Sequence, residues 1–86
     1  MSARWGYKTR TRLGRALFKT GLYYAVVAGE YGTIIAEEST LKAAAACITG
    51  VEDYVFAVQN GVRRRLTNEE ETVLQCELHK RLSGLA

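Results

Sequence analysis

The chain has no proline among its 86 residues, so no ring forces a kink and no proline-rich linker divides it. Cysteine is scarce too. Cys47 and Cys76 make neither a disulfide framework nor a CxxC pair, and both thiols are expected to be reduced, in a cytoplasmic protein. Long apolar runs are also missing. The longest, Leu22 to Ala28, is far too short to span a bilayer, so no membrane span is expected. The basic start is not followed by the apolar stretch and small-residue cleavage site of a secretory signal.

What is present is a modest apolar content of 48%, enough for a folded chain. A chain of this length predicts one domain with a small core, for which association is a natural source of extra stability. The net charge of +3 is unevenly spread. Residues 1–20 carry Arg4, Lys8, Arg10, Arg12, Arg15 and Lys19 with no acid, whereas residues 21–60 carry Glu30, Glu37, Glu38, Glu52 and Asp53 against only Lys42. A basic segment on a near-neutral body suits an anionic partner, and it also suits a merely solvated terminus.

The element pattern is α+β. Residues 1–21 read as a basic segment with a flexible start and a short helix from about Arg10 to Thr20. Leu13, Ala16, Leu17 and Thr20 share one face of that helix, and Lys8, Arg12, Arg15 and Lys19 another. Residues 22–86 read as a single ββαββα domain. LYYAVVA and TIIAE are strands around the Gly29–Gly32 turn, with Val27 opposite Ile34 and Val26 opposite Ile35. Both faces of that pair are apolar, so something is expected to cover each.

A thin helix follows, capped by Ser39 or Thr40, with Leu41, Ala44, Ala45 and Ile48 in one stripe. Tyr54 to Gln59 and Val62 to Leu66 flank Asn60-Gly61, the preferred pair for a type I′ turn. Thr67-Asn68-Glu69-Glu70 matches a capping box, and opens a last helix striped by Leu74, Leu78 and Leu82. The predicted architecture is a four-stranded antiparallel sheet, order (α)-β-β-α-β-β-α, with two helices packed on one face.

A two-residue turn fixes the hairpin register and sorts its side chains. Val55, Ala57, Val62 and Leu66 share one face with Gln59 and Arg64. Tyr54, Phe56 and Val58 share the other with Arg63 and Arg65. If the first face meets the helices, the second offers aromatics beside arginines. That combination suits a nucleic-acid surface or a protein hot spot. Alternatively, the amino-terminal segment covers this face, or Phe56 and Val58 enter the core while the arginines snorkel.

Other chemistry is weakly signalled. The GxxG at Gly29–Gly32 lies between strands and reads as a turn, not a phosphate loop. Cys47, Cys76 and His79 lack the close-spaced pairs of a zinc site, and no metal or cofactor is expected. No nucleophile, base and orienting group assemble from His79, Glu37, Glu38 and Glu69 to Glu71, so the chain is expected not to be an enzyme.

Tyr23-Tyr24-Ala25-Val26-Val27 and the ββα order are similar to small domains such as the amino-terminal hybrid-binding domain of ribonuclease H and the HicB antitoxin family. The tryptophan-centred groove of the former and the acidic pattern of the latter are missing, and no family is assigned.

Two functions are therefore expected. The first is a small non-enzymatic interaction module that binds a protein partner, or a second copy, through a sheet face. The second is nucleic-acid binding by the basic segment with Arg63 and Arg65. The candidate contact residues are Tyr54, Phe56, Arg63, Arg65, Lys8, Arg12, Arg15 and Lys19.

Overall fold

The computed structural model describes residue 9 and residues 11–84. The elements are α1 (Arg12–Leu17), β1 (Leu22–Ala28), β2 (Thr33–Glu38), α2 (Leu41–Ala46), β3 (Tyr54–Gln59), β4 (Val62–Arg64) and α3 (Asn68–Gly84). The strands form one antiparallel sheet in the order β2-β1-β3-β4. The α+β fold read from the pattern is the one found.

Each hairpin is followed by its own helix, and the two ββα units meet along the β1–β3 seam. Asn60 at φ 53° and Gly61 at φ 81° both lie in the left-handed region that a type I′ turn requires. The second hairpin keeps its expected pairs Gln59–Val62, Val58–Arg63 and Ala57–Arg64.

Two details of register differ from expectation. In the first hairpin Val27 faces Ile34 as expected, but Val26 faces Ala36 rather than Ile35. The ladder shifts between Val26 and Val27, which leaves Ile35 as the extra residue of a bulge, half exposed. β4 ends at Arg64, not Leu66, so Arg65 and Leu66 have no ladder partners. The reason lies next door, where the chain must turn to place Thr67 as a helix cap.

The sheet is apolar on both sides, and both sides are covered. On one, Tyr24, Val26, Val55 and Ala57 pack with Leu41, Ala44 and Ala45 of α2 and Leu74 of α3. On the other, Tyr23, Ala25, Val27, Phe56 and Val58 pack with Leu13, Leu17, Phe18 and Ile34. Alternating side chains along β1 thus feed two cores in turn. The expected pair of helices occupies one face, and α1 closes the other.

α2 starts at Thr40, whose hydroxyl accepts from the Ala43 amide at 3.1 Å. Its far end is held from α3: Arg81 donates to the carbonyls of Ala45, at 2.8 Å, and Ile48. The Ala45 carbonyl, in the last turn of α2, also accepts from the Ile48 amide at 3.2 Å, and Ile48 lies just past the helix. Arg81→Met removes both bonds while keeping much of the stem. Because the side chain is exposed, the expected cost is about 1 kcal/mol, read as a lowered Tm by circular dichroism.

Candidate interaction surfaces

α1 is short, and it is fixed in place by a carboxylate rather than by length. Thr11 caps it by accepting from the Gly14 amide at 3.0 Å. The Thr11 hydroxyl and amide then both donate to Oε1 of Glu37, each at 2.9 Å, and the Thr9 hydroxyl donates to the same oxygen at 2.9 Å. Glu37 lies on β2 opposite Ala25 and is only 4% exposed. A buried carboxylate needs such donors, since an unpaired one is costly in a low-dielectric core.

Gly14 is buried beneath the same contact. Any side chain there would run into the Thr9 hydroxyl and the Glu37 carboxylate. Glycine disfavours a helix interior, yet here it lets the helix lie this close to β2. Leu13 and Leu17 face the sheet as expected. Ala16 and Thr20 do not join them and are exposed, because α1 stops at Leu17 and Phe18 takes the inward position instead. Phe18 also lies against Gly61 of the hairpin turn.

This docking decides where the candidate contact residues go. Phe56 is 5% exposed, sealed in the core shared with α1, so its ring is not offered to a partner. Arg63 is partly buried, with its guanidinium 4.2 Å from the centre of the Phe56 ring. Arg12, Arg15 and Lys19 are exposed, and so is Arg65. Lys8 lies outside the described residues. Tyr54 is 46% exposed and borders a different feature, a groove of ≈ 720 Å³ shared with Ile48, Val51, Leu78 and Leu82. The structure therefore joins Arg63 to Phe56, puts Arg12 and Arg15 on the helix that covers the same sheet face, and separates Tyr54 from them.

Sequence reasoning missed a second cluster. Glu70 accepts four hydrogen bonds. Oε1 takes them from Arg64 at 2.7 Å and the Thr67 amide at 2.8 Å, and Oε2 from Arg64 at 3.1 Å and the Tyr24 hydroxyl at 2.9 Å. The capping box was legible, and its reciprocal bond from the Glu70 amide to the Thr67 hydroxyl is present at 3.2 Å. Nothing in the local pattern pointed to Tyr24, which lies 46 residues away. The Arg64 guanidinium first, then the Thr67 amide and the Tyr24 hydroxyl, hold the Glu70 carboxyl down at about 2. Burial, then the bond to Glu70, push the Tyr24 phenol up to about 12. This is a structural lock between β1, β4 and α3.

Two further titratable groups, Cys47 and Asp53, are also engaged. Cys47 donates to Glu38 at 3.6 Å, and burial followed by that carboxylate raises its pKa, which keeps the thiol protonated. Asp53 accepts from the amides of Thr49 and Gly50 and from the Thr49 hydroxyl, and the Thr49 amide leads in lowering its pKa. Cys76 and His79 are both exposed on α3. Among the described residues, no three His, Cys, Asp or Glu side chains are grouped to hold a metal ion. Among the same residues, no helix is long and apolar enough to cross a membrane.

No protein-family model, no curated protein and no solved structure matches the chain.

Proposed function

We propose that this protein is a small non-enzymatic interaction module, and that its principal partner is a nucleic-acid backbone held by the outer surface of α1. The observation that carries this reading is the way α1 is divided. Leu13, Leu17 and the adjoining Phe18 turn to the sheet, while Arg12, Arg15 and Lys19 stay exposed. Arg63 lies on the same side of the sheet over Phe56. The carboxylate beneath α1, Glu37, is buried and occupied by the threonines. The exposed charge of α1 is thus cationic, and cations spaced along a surface can follow a phosphate backbone. The free thiols fit a reducing, cytoplasmic setting.

Self-association through the sheet face is less well supported. Phe56 and Val58 would be available only after α1 had left its place.

The test is a titration of labelled single-stranded and duplex DNA and RNA with the full chain at several salt concentrations, with Trp5 fluorescence as a second signal. Binding is expected to strengthen steeply as salt falls. Replacing Arg15 with glutamine is expected to flatten the log–log salt slope by about one unit. Arg15 is exposed, so the fold should survive the change. Absence of binding even at low salt ends the proposal.

A further inference from the structure

The helix α3 has a second side that none of the described residues covers. Its inner side is engaged: Leu74 is buried, Leu78 packs beside it, Glu70 holds Arg64, and Arg81 holds the end of α2. The outer side bears a shallow hollow lined by Glu71, Thr72, Gln75, Cys76, His79 and Lys80. Those six positions form a set that reads the same from either end. Paired about the midpoint between Gln75 and Cys76, they give Glu71 with Lys80, Thr72 with His79, and Gln75 with Cys76.

We propose that this face of α3 is the interface with a second copy of the chain, the two α3 helices lying antiparallel across a two-fold axis between Gln75 and Cys76. In that arrangement Glu71 of each copy meets Lys80 of the other, so one kind of contact is made twice, as a two-fold interface requires. A parallel pairing would set the glutamates of one first turn against those of the other. The antiparallel one sets the acidic start of α3, with Glu69 and Glu71, against the basic end, with Lys80. At the axis the small Cys76 of each copy faces the longer Gln75 of the other, at the helix separation of about 8–10 Å that packed pairs adopt.

Lys80 is available for this contact. Its link within the chain, to Glu77 at 3.7 Å, is long, and its side chain is 73% exposed. This inference does not depend on the nucleic-acid reading. α3 and α1 lie on opposite faces of the sheet, so a dimer made through α3 keeps both basic surfaces outward.

Light scattering on the eluting full chain, with sedimentation equilibrium for affinity, should give a dimer mass that falls on dilution. Glu71→Lys and Lys80→Glu should each weaken the dimer about tenfold or more, because each change turns two attractions into two repulsions. The double variant Glu71→Lys with Lys80→Glu restores complementarity and should restore the dimer. That recovery also separates a lost interface from a damaged helix. A short bismaleimide should cross-link Cys47→Ser protein through Cys76 and fail on Cys76→Ser protein. A monomer mass at every concentration would overturn the proposal. So would a dimer whose affinity neither charge reversal alters, or one that the double swap does not restore.

Discussion

Truncating Phe56 to alanine is expected to lower the unfolding free energy by about 3–4 kcal/mol, the cost of emptying a large aromatic site in a packed core. The ring is 5% exposed and sits among Tyr23, Ala25, Val27 and Val58 under α1. Arg63 loses its aromatic platform in the same step, and its stem no longer has a ring beneath it. For a domain of this size the loss corresponds to a fall in Tm of roughly 15–25 °C. The milder Phe56→Leu should cost about 1–1.5 kcal/mol, since most of the volume is kept. Urea unfolding followed by circular dichroism measures both. The result also bears on function. A ring kept at the surface for a partner could be removed at a cost within about 0.5 kcal/mol, and such a small loss would mean that α1 does not cover this face in solution.

That experiment matters because the covering of this face was the point at which sequence reading divided. The hairpin was legible. Asn60-Gly61 answers a local demand for two left-handed residues, and a two-residue turn leaves one register. The Thr67 and Glu70 box was legible for the same reason, since both partners lie within one turn of helix. Two-sided burial of the sheet could be anticipated from LYYAVVA and TIIAE. Cover of the second side by the amino-terminal segment was one of two open readings, and what fastens the segment there is not legible. The latch on α1 is Glu37, more than 20 residues from Thr9 and Thr11, and a glutamate at the end of an apolar strand reads as a helix-start acid. The purpose of Gly14 becomes visible only with that carboxylate beneath it.

The early end of β4 is local, set by the turn that places Thr67 as a helix cap. Arg64 stays in the ladder opposite Ala57, yet its guanidinium is drawn to Glu70 on the next helix. A hydrophobic pattern carries no trace of such a pull. The candidate residues consequently split along physical lines. The charged ones stay exposed or partly so wherever the structure describes them, because charge resists burial. The aromatic pair separates, with Phe56 taken into the core and Tyr54 left half exposed.

Glu70→Ala is the other substitution expected to be costly. It takes one acceptor from four donors at once: two on Arg64, the Tyr24 hydroxyl and the Thr67 amide. The side chains of Glu70 and Arg64 are 15% and 29% exposed, so water only partly replaces what is lost, and the expected destabilisation is about 2–3 kcal/mol. The same cluster predicts how stability responds to pH. Glu70 has a folded pKa near 2 against an ordinary value of 4.5. Its contribution is therefore complete above about 4.5 and disappears as pH falls toward 2. Tyr24 is shifted the other way, from 10.0 up to about 12, so its contribution is complete below 10 and disappears as pH rises toward 12. Wild type and Glu70→Gln should thus converge in stability at the acid end, where the wild-type carboxylate is itself protonated. Tyr24→Phe should remove part of the alkaline loss and leave the acid limb largely in place. Urea midpoints measured across both limbs for the three proteins check this. If wild type and Glu70→Gln keep a constant difference from pH 7 down to pH 2, the four-donor lock at Glu70 is not what stabilises this end of the sheet.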